Sequence, residues 1–214
     1  MKPTGTDMVA AKIASIAEVY GRSLTPGALQ VYMTTFKSGC DSPDMVIAAI
    51  DEAVATHQYG NMPTPGQIMA IVRRWQMEEG EVKARLVLDA IRAHGHGKSI
   101  VFDCPHVMAV IRQRHGSWEN LCDTLLEKDT PAFVKKFAED WCEFVKAGRK
   151  DSGTLVGYTD RINSANGYAL MEPVKMGDAA RCRLVLEGKV DHPLLAAGAG
   201  VAGKSKMLTE GQDK

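Results

Sequence analysis

The chain has 214 residues, 45% hydrophobic and 24% charged, which is apolar material enough for a real core in one large domain or two small ones. Lys plus Arg and Asp plus Glu both total 26, so the formal net charge is zero, which argues against coating of nucleic acid through bulk charge but not against a local basic patch. No apolar run reaches the roughly 20 residues that a bilayer-spanning helix needs.

The N-terminal stretch lacks the apolar segment of a signal peptide. The five cysteines (Cys40, Cys104, Cys122, Cys142 and Cys182) are scattered without a CxxC pair, so reduced thiols in a cytoplasm are expected. In chain order, the clearest signal is a Ser/Thr-Pro step ahead of apolar periodicity, at Thr25-Pro26, Ser42-Pro43, Thr64-Pro65 and Thr130-Pro131. A hydroxyl at the N-cap accepts from an orphan backbone N–H, and proline at the next position loses nothing because its own N–H had no partner there. Gln67, three residues after Thr64, completes a capping box. The stripes agree: Val9, Ile13, Ile16 and Tyr20; Leu29, Tyr32, Met33 and Phe36; Val46, Ile50 and Val54; Ile68, Ile71, Val72 and Trp75. Residues 6–76 therefore read as a four-helix unit whose core includes Phe36 and Trp75.

A charged stretch from Glu78 to Lys83 reads as a short linker into another helix that ends near His94, with Gly95 as its C-cap. Ser99–Phe102 is β-prone but too short to demand a sheet. Helices are expected around Val107–Arg114, Trp118–Glu127 and Thr130–Lys146, the last with Phe133, Phe137, Trp141 and Phe144 inward. Residues 151–177, rich in Gly, Asn and Ser, read as an irregular arm that completes a second unit over 78–178. Residues 188–214, Gly-, Ala- and Lys-rich, read as a disordered tail. The expected fold is thus all-α: two small helical units, a charged linker, an irregular arm and a tail.

Several motifs invite chemistry. Gly198–Ser205 satisfies the phosphate-loop pattern GxxxxGK[ST], but nine residues follow it, too few for the helix and sheet that the pattern requires. Gly95–Ser99 fails the same pattern because Arg92 stands at the first glycine position. His94, His96, Cys104 and His106 are close in sequence, yet no second ligand pair is near; they are expected to decorate a helix end, with Cys104 as a small buried hydrophobe. Across Val107–Glu127 a helix-turn-helix would need a small residue where Arg112 stands, and Glu119, Asp123 and Glu127 would repel phosphates. Weak, sequence-independent DNA contact through Arg73, Arg74, Arg112, Arg114, Lys135 and Lys136 is left open. No catalytic, cofactor-binding or metal-binding residue is expected.

Two stretches resemble known proteins. Leu24-Thr-Pro-Gly-Ala-Leu-Gln-Val-Tyr32, Ala48-Ala-Ile-Asp-Glu-Ala53, and His57 with Met62-Pro-Thr-Pro-Gly-Gln-Ile68 are similar to the N-terminal helical domain of phage helicase loader/inhibitor proteins. Val101-Phe-Asp-Cys-Pro-His106, Gly116-Ser-Trp-Glu-Asn-Leu121, Phe137 and Pro173-Val-Lys-Met-Gly-Asp178 look like an uncharacterised domain of phage and prophage replication-region proteins. The resemblance implies an adaptor without its own ATPase that engages a replicative helicase, delivers it to a phage origin and meets a phage initiator protein. In such loaders a flexible C-terminal segment contacts the helicase. Here that role falls on the tail, whose small apolar clusters are Leu194-Leu195 and Met207-Leu208, with Arg73, Arg74, Arg112 and Arg114 as the next contact candidates. The second folded unit departs from the short loaders, and no functional side chain carries over. An inhibitor of a host enzyme and a non-enzymatic DNA-binding replication protein are the alternatives.

Overall fold

Hydroxyl caps start helices at three of the four Ser/Thr-Pro steps. Thr25 accepts from the Ala28 N–H, Ser42 from that of Met45 and Thr64 from that of Gln67, whose side chain accepts in return from the Thr64 N–H. Thr130 departs from the expectation. It lies inside its helix, because a 3₁₀ turn at Glu127–Asp129 runs straight into the first turn, and Asp129 caps without a side-chain bond. The computed structural model describes residues 4–40, 42–56 and 60–191. Among them the chain is all-α: α1 (Gly5–Val19), α2 (Pro26–Gly39), α3 (Pro43–Thr56), α4 (Pro65–His94), α5 (Pro105–His115), α6 (Trp118–Thr124), α7 (Thr130–Lys146), α8 (Tyr158–Ala165) and α9 (Ala179–Leu186). Two three-residue strands, β1 (Ile100–Phe102) and β2 (Val174–Met176), complete it.

The apolar stripes close into two cores. Val9, Ile13, Phe36, Val46, Ile50, Ile68 and Val72 form the first, from α1, α2, α3 and the N-terminal half of α4. Ala84, Val87 and Leu88 from the other half of α4 join Ile100, Met108, Trp118, Phe137 and Trp141 in the second. Phe36 is 3% exposed, whereas Trp75 packs against its core only half-buried.

The expected linker at Glu78–Lys83 is instead the middle of α4, which runs unbroken through both units. Two of its charges belong to a solvated helix face: Glu78 pairs with Arg74 at 3.6 Å and Glu81 with Arg85 at 3.0 Å, each across one turn. Glu79 and Gly80, between them, are buried against α7. A Cβ at Gly80 would lie 2.9 Å from the Ala138 Cα. Glycine disfavours a helix interior by about 1 kcal/mol, and here it lets two helices meet.

The irregular arm also holds more structure than its composition implies. It contains α8, followed by β2, which pairs parallel to β1 in the register Ile100–Val174, Val101–Lys175 and Phe102–Met176. Leu155 pairs with Ile100 from the other side. The β-prone run, too short by itself to demand a sheet, forms a strand because all three of its residues are buried and both of its edges find partners. Residues 192–214 lie outside the described residues, and with them Leu194, Leu195, Met207, Leu208 and the phosphate-loop lookalike; so does His57. No described helix is long and apolar enough to cross a membrane.

Candidate partner-binding groove

Of the helices in the first unit, α2 is the least covered. Its stripe buries only Phe36 fully, and Leu29 and Met33 stay half-buried. The helix is nonetheless held firmly: the Tyr32 hydroxyl donates to the Pro63 carbonyl at 2.7 Å, and Tyr32 meets Phe36 edge-on at 5.9 Å. Between α2, the start of α1 and the start of α3 lies a groove of about 530 Å³. Val9, Phe36 and Val46 form its buried floor, Leu29 and Met33 its half-buried wall, and Lys37 stands on the rim. Lys37 makes no ion pair among the described residues. A concave apolar surface with a few polar groups at its edge is the shape that takes an apolar ligand or one face of an amphipathic helix.

The four arginines named from the sequence do not gather into one site. Arg73 is exposed on α4. Arg74 is bound by Glu52 and Glu78. On α5, Arg114 bridges Asp140 at 3.2 Å and Glu143 at 2.6 Å and lies over the Phe144 ring. Arg112 is committed inward, donating to Asp151 at 2.5 Å and to the Ser152 and Thr154 carbonyls at 2.7 and 2.8 Å. Arg112→Ala is therefore expected to lower stability by about 2–3 kcal/mol, read in urea unfolding, because a partly buried carboxylate loses a charged donor. A cost below 0.5 kcal/mol would contradict that structural role.

The histidines and cysteines also go to separate tasks. His96 Nδ1 meets Asp123 Oδ1 at 2.8 Å, His106 Nδ1 meets the Arg149 carbonyl at 2.7 Å, and Cys104 is buried. Among the described residues, no three His, Cys, Asp or Glu side chains gather as a metal would require. Burial pushes the thiols of Cys122, Cys142 and Cys182 up to about 12, 11 and 11, so each stays protonated at neutral pH. Glu119 and Asp123, on the would-be recognition helix, are engaged by Arg161 and His96.

A polar cluster around the buried Asp103 went unforeseen. At the carboxyl end of β1, Asp103 accepts from the Asp178 N–H at 3.1 Å and pairs with Lys83 at 3.3 Å. Asp178 in turn caps α9 by accepting from the Arg181 N–H at 2.8 Å. The Phe-Asp-Cys-Pro and Met-Gly-Asp stretches thus meet in space, with the Asp103 carboxylate filling the turn at Gly177. Gly-Asp directly before the mostly apolar run Ala179–Leu186 marks the helix cap in the sequence; nothing there marks its partner.

Residues 100–189 match the family described as a domain of unknown function (DUF6475). The match opens at β1 and closes just past α9, leaving out α4 and the whole first unit. No curated protein and no solved structure matches the chain.

Proposed function

We propose that this protein is a non-enzymatic adaptor in phage or prophage DNA replication, a helicase loader or helicase-binding factor that receives a helical segment of the replicative helicase in the groove between α1, α2 and α3. The observation that carries the reading is the groove itself, which lies within the unit whose residues resemble phage helicase loaders. Lys37 on its rim fits a docking helix that carries a carboxylate beside its apolar face. The thiols of Cys122 and Cys142, pushed up by burial, stay protonated at neutral pH, which supports a binding role over nucleophilic chemistry.

The test is affinity of the full chain for the purified replicative helicase of the organism that carries the gene, by calorimetry or size-exclusion chromatography. Met33→Glu is expected to weaken binding at least tenfold, about 1.4 kcal/mol, with little change in thermal stability because Met33 is only half-buried. Truncation after Glu187 separates a tail contact from a groove contact. Affinity unchanged in Met33→Glu and lost on truncation would move the site to the tail, and no binding by the full chain would remove the helicase from the proposal.

A further inference from the structure

In the middle of α4, at its contact with α7, a carboxyl group is buried where none is needed for solubility or capping. Glu79 is 6% exposed and its Oε2 has no hydrogen-bond partner. One residue on, Gly80 brings the α7 backbone so close that no side chain fits between the helices. The groups facing the carboxyl come from every element packed around it: Lys83 from α4, Asp103 from the end of β1, Arg181 from α9 and the Cys142 thiol from α7. Of the cations, Lys83 is already engaged by Asp103 at 3.3 Å. An ionised Glu79 there would hold a charge with an unsatisfied oxygen, whereas a neutral carboxyl is tolerated.

We propose that the contact between α4 and α7 around Gly80, at the edge of the second unit, is a proton-sensitive joint, tight when the Glu79 carboxyl is neutral and loosened when it is ionised. Its working range is physiological. Burial raises the Glu79 pKa from 4.5 to about 7, with Lys83 and Arg181 opposing the rise and Asp103 adding to it. The closed contact therefore binds the proton more tightly than the opened one. That advantage is complete below about pH 4.5 and is lost as the pH climbs through 7. Buried His106 and half-buried His115, whose pKa values are lowered by desolvation, act with the opposite sign and destabilise as the pH falls, so they cannot imitate the effect.

The experiment is peptide-resolved hydrogen exchange of the full chain at pH 6 and pH 8, with rates corrected for intrinsic exchange. In the wild type, protection of α4 around Gly80 and of the facing part of α7 is expected to fall about tenfold between the two pH values. Peptides covering Ile13 and Ile50 in the first core should hold steady. Glu79→Gln should abolish the pH dependence while keeping the contact closed at pH 8, and Glu79→Met, which removes the titrating group altogether, gives the same reading should the glutamine variant fold poorly. An equal fall in either variant, or no fall in the wild type, overturns the proposal.

Discussion

Gly177→Ala is expected to destabilise the second unit by about 3 kcal/mol, more than an exposed turn substitution normally does. Two causes add. Gly177 has φ of +94°, a region that costs an L-residue about 1–2 kcal/mol. A Cβ there would also lie 2.4 Å from the Asp103 carboxylate, which must then leave the Asp178 N–H and withdraw from Lys83. A lost hydrogen bond to a charged group contributes a further 1.5–3 kcal/mol, roughly. The measurement is urea unfolding of the full chain, followed by tryptophan fluorescence. Combining Gly177→Ala with Asp103→Ala supplies the sharper check, since both act through one contact and their penalties should fall well short of additive. Full additivity would mean that the carboxylate and the turn do not depend on each other.

The first unit should stand without the second. A fragment of residues 4–76 is expected to melt in a single cooperative transition, because every buried member of its core, from Val9 to Val72, lies inside it. Within the fragment, Phe36→Ala should cost about 3–5 kcal/mol, which would unfold a unit of this size at room temperature. Trp75→Ala should cost clearly less, since half-burial means less apolar surface returned to water. Circular dichroism against temperature decides both. A fragment without a transition would mean that the C-terminal half of α4 is needed to hold the first core together.

How far the sequence led depended on how local each signal was. Helix starts at Thr25, Ser42 and Thr64 were legible because a cap involves a hydroxyl and an amide three residues apart. The same was true of the positive-φ Gly95 that ends α4. What failed was non-local. Glu78 to Lys83 looks like a linker because four of its six residues are charged, and only the approach of Ala138 reveals that Glu79 and Gly80 face inward. The pairing of Ile100 with Val174 joins residues far apart in the chain, and no pattern in either triplet names the other. Arg112 illustrates the opposite error. A basic residue near a turn glycine reads as surface charge, yet its guanidinium is spent on two carbonyls and a carboxylate of the following arm. The groove was hidden for a simpler reason: a stripe shows which side of α2 is apolar, not how much of that side its neighbours leave uncovered.

The unbroken course of α4 has a geometric consequence. At 1.5 Å per residue its 30 residues make a strut of about 45 Å, and each residue advances the helical phase by about 100°. The direction in which the groove opens, seen from the second unit, is therefore written in the count of residues between Trp75 and Glu79. Adding or removing a single residue there would swing one unit about the shared axis by more than a quarter turn while leaving both cores intact. Evolution could retune how two partners are presented to one another by changing that count alone, with no new contact in either unit.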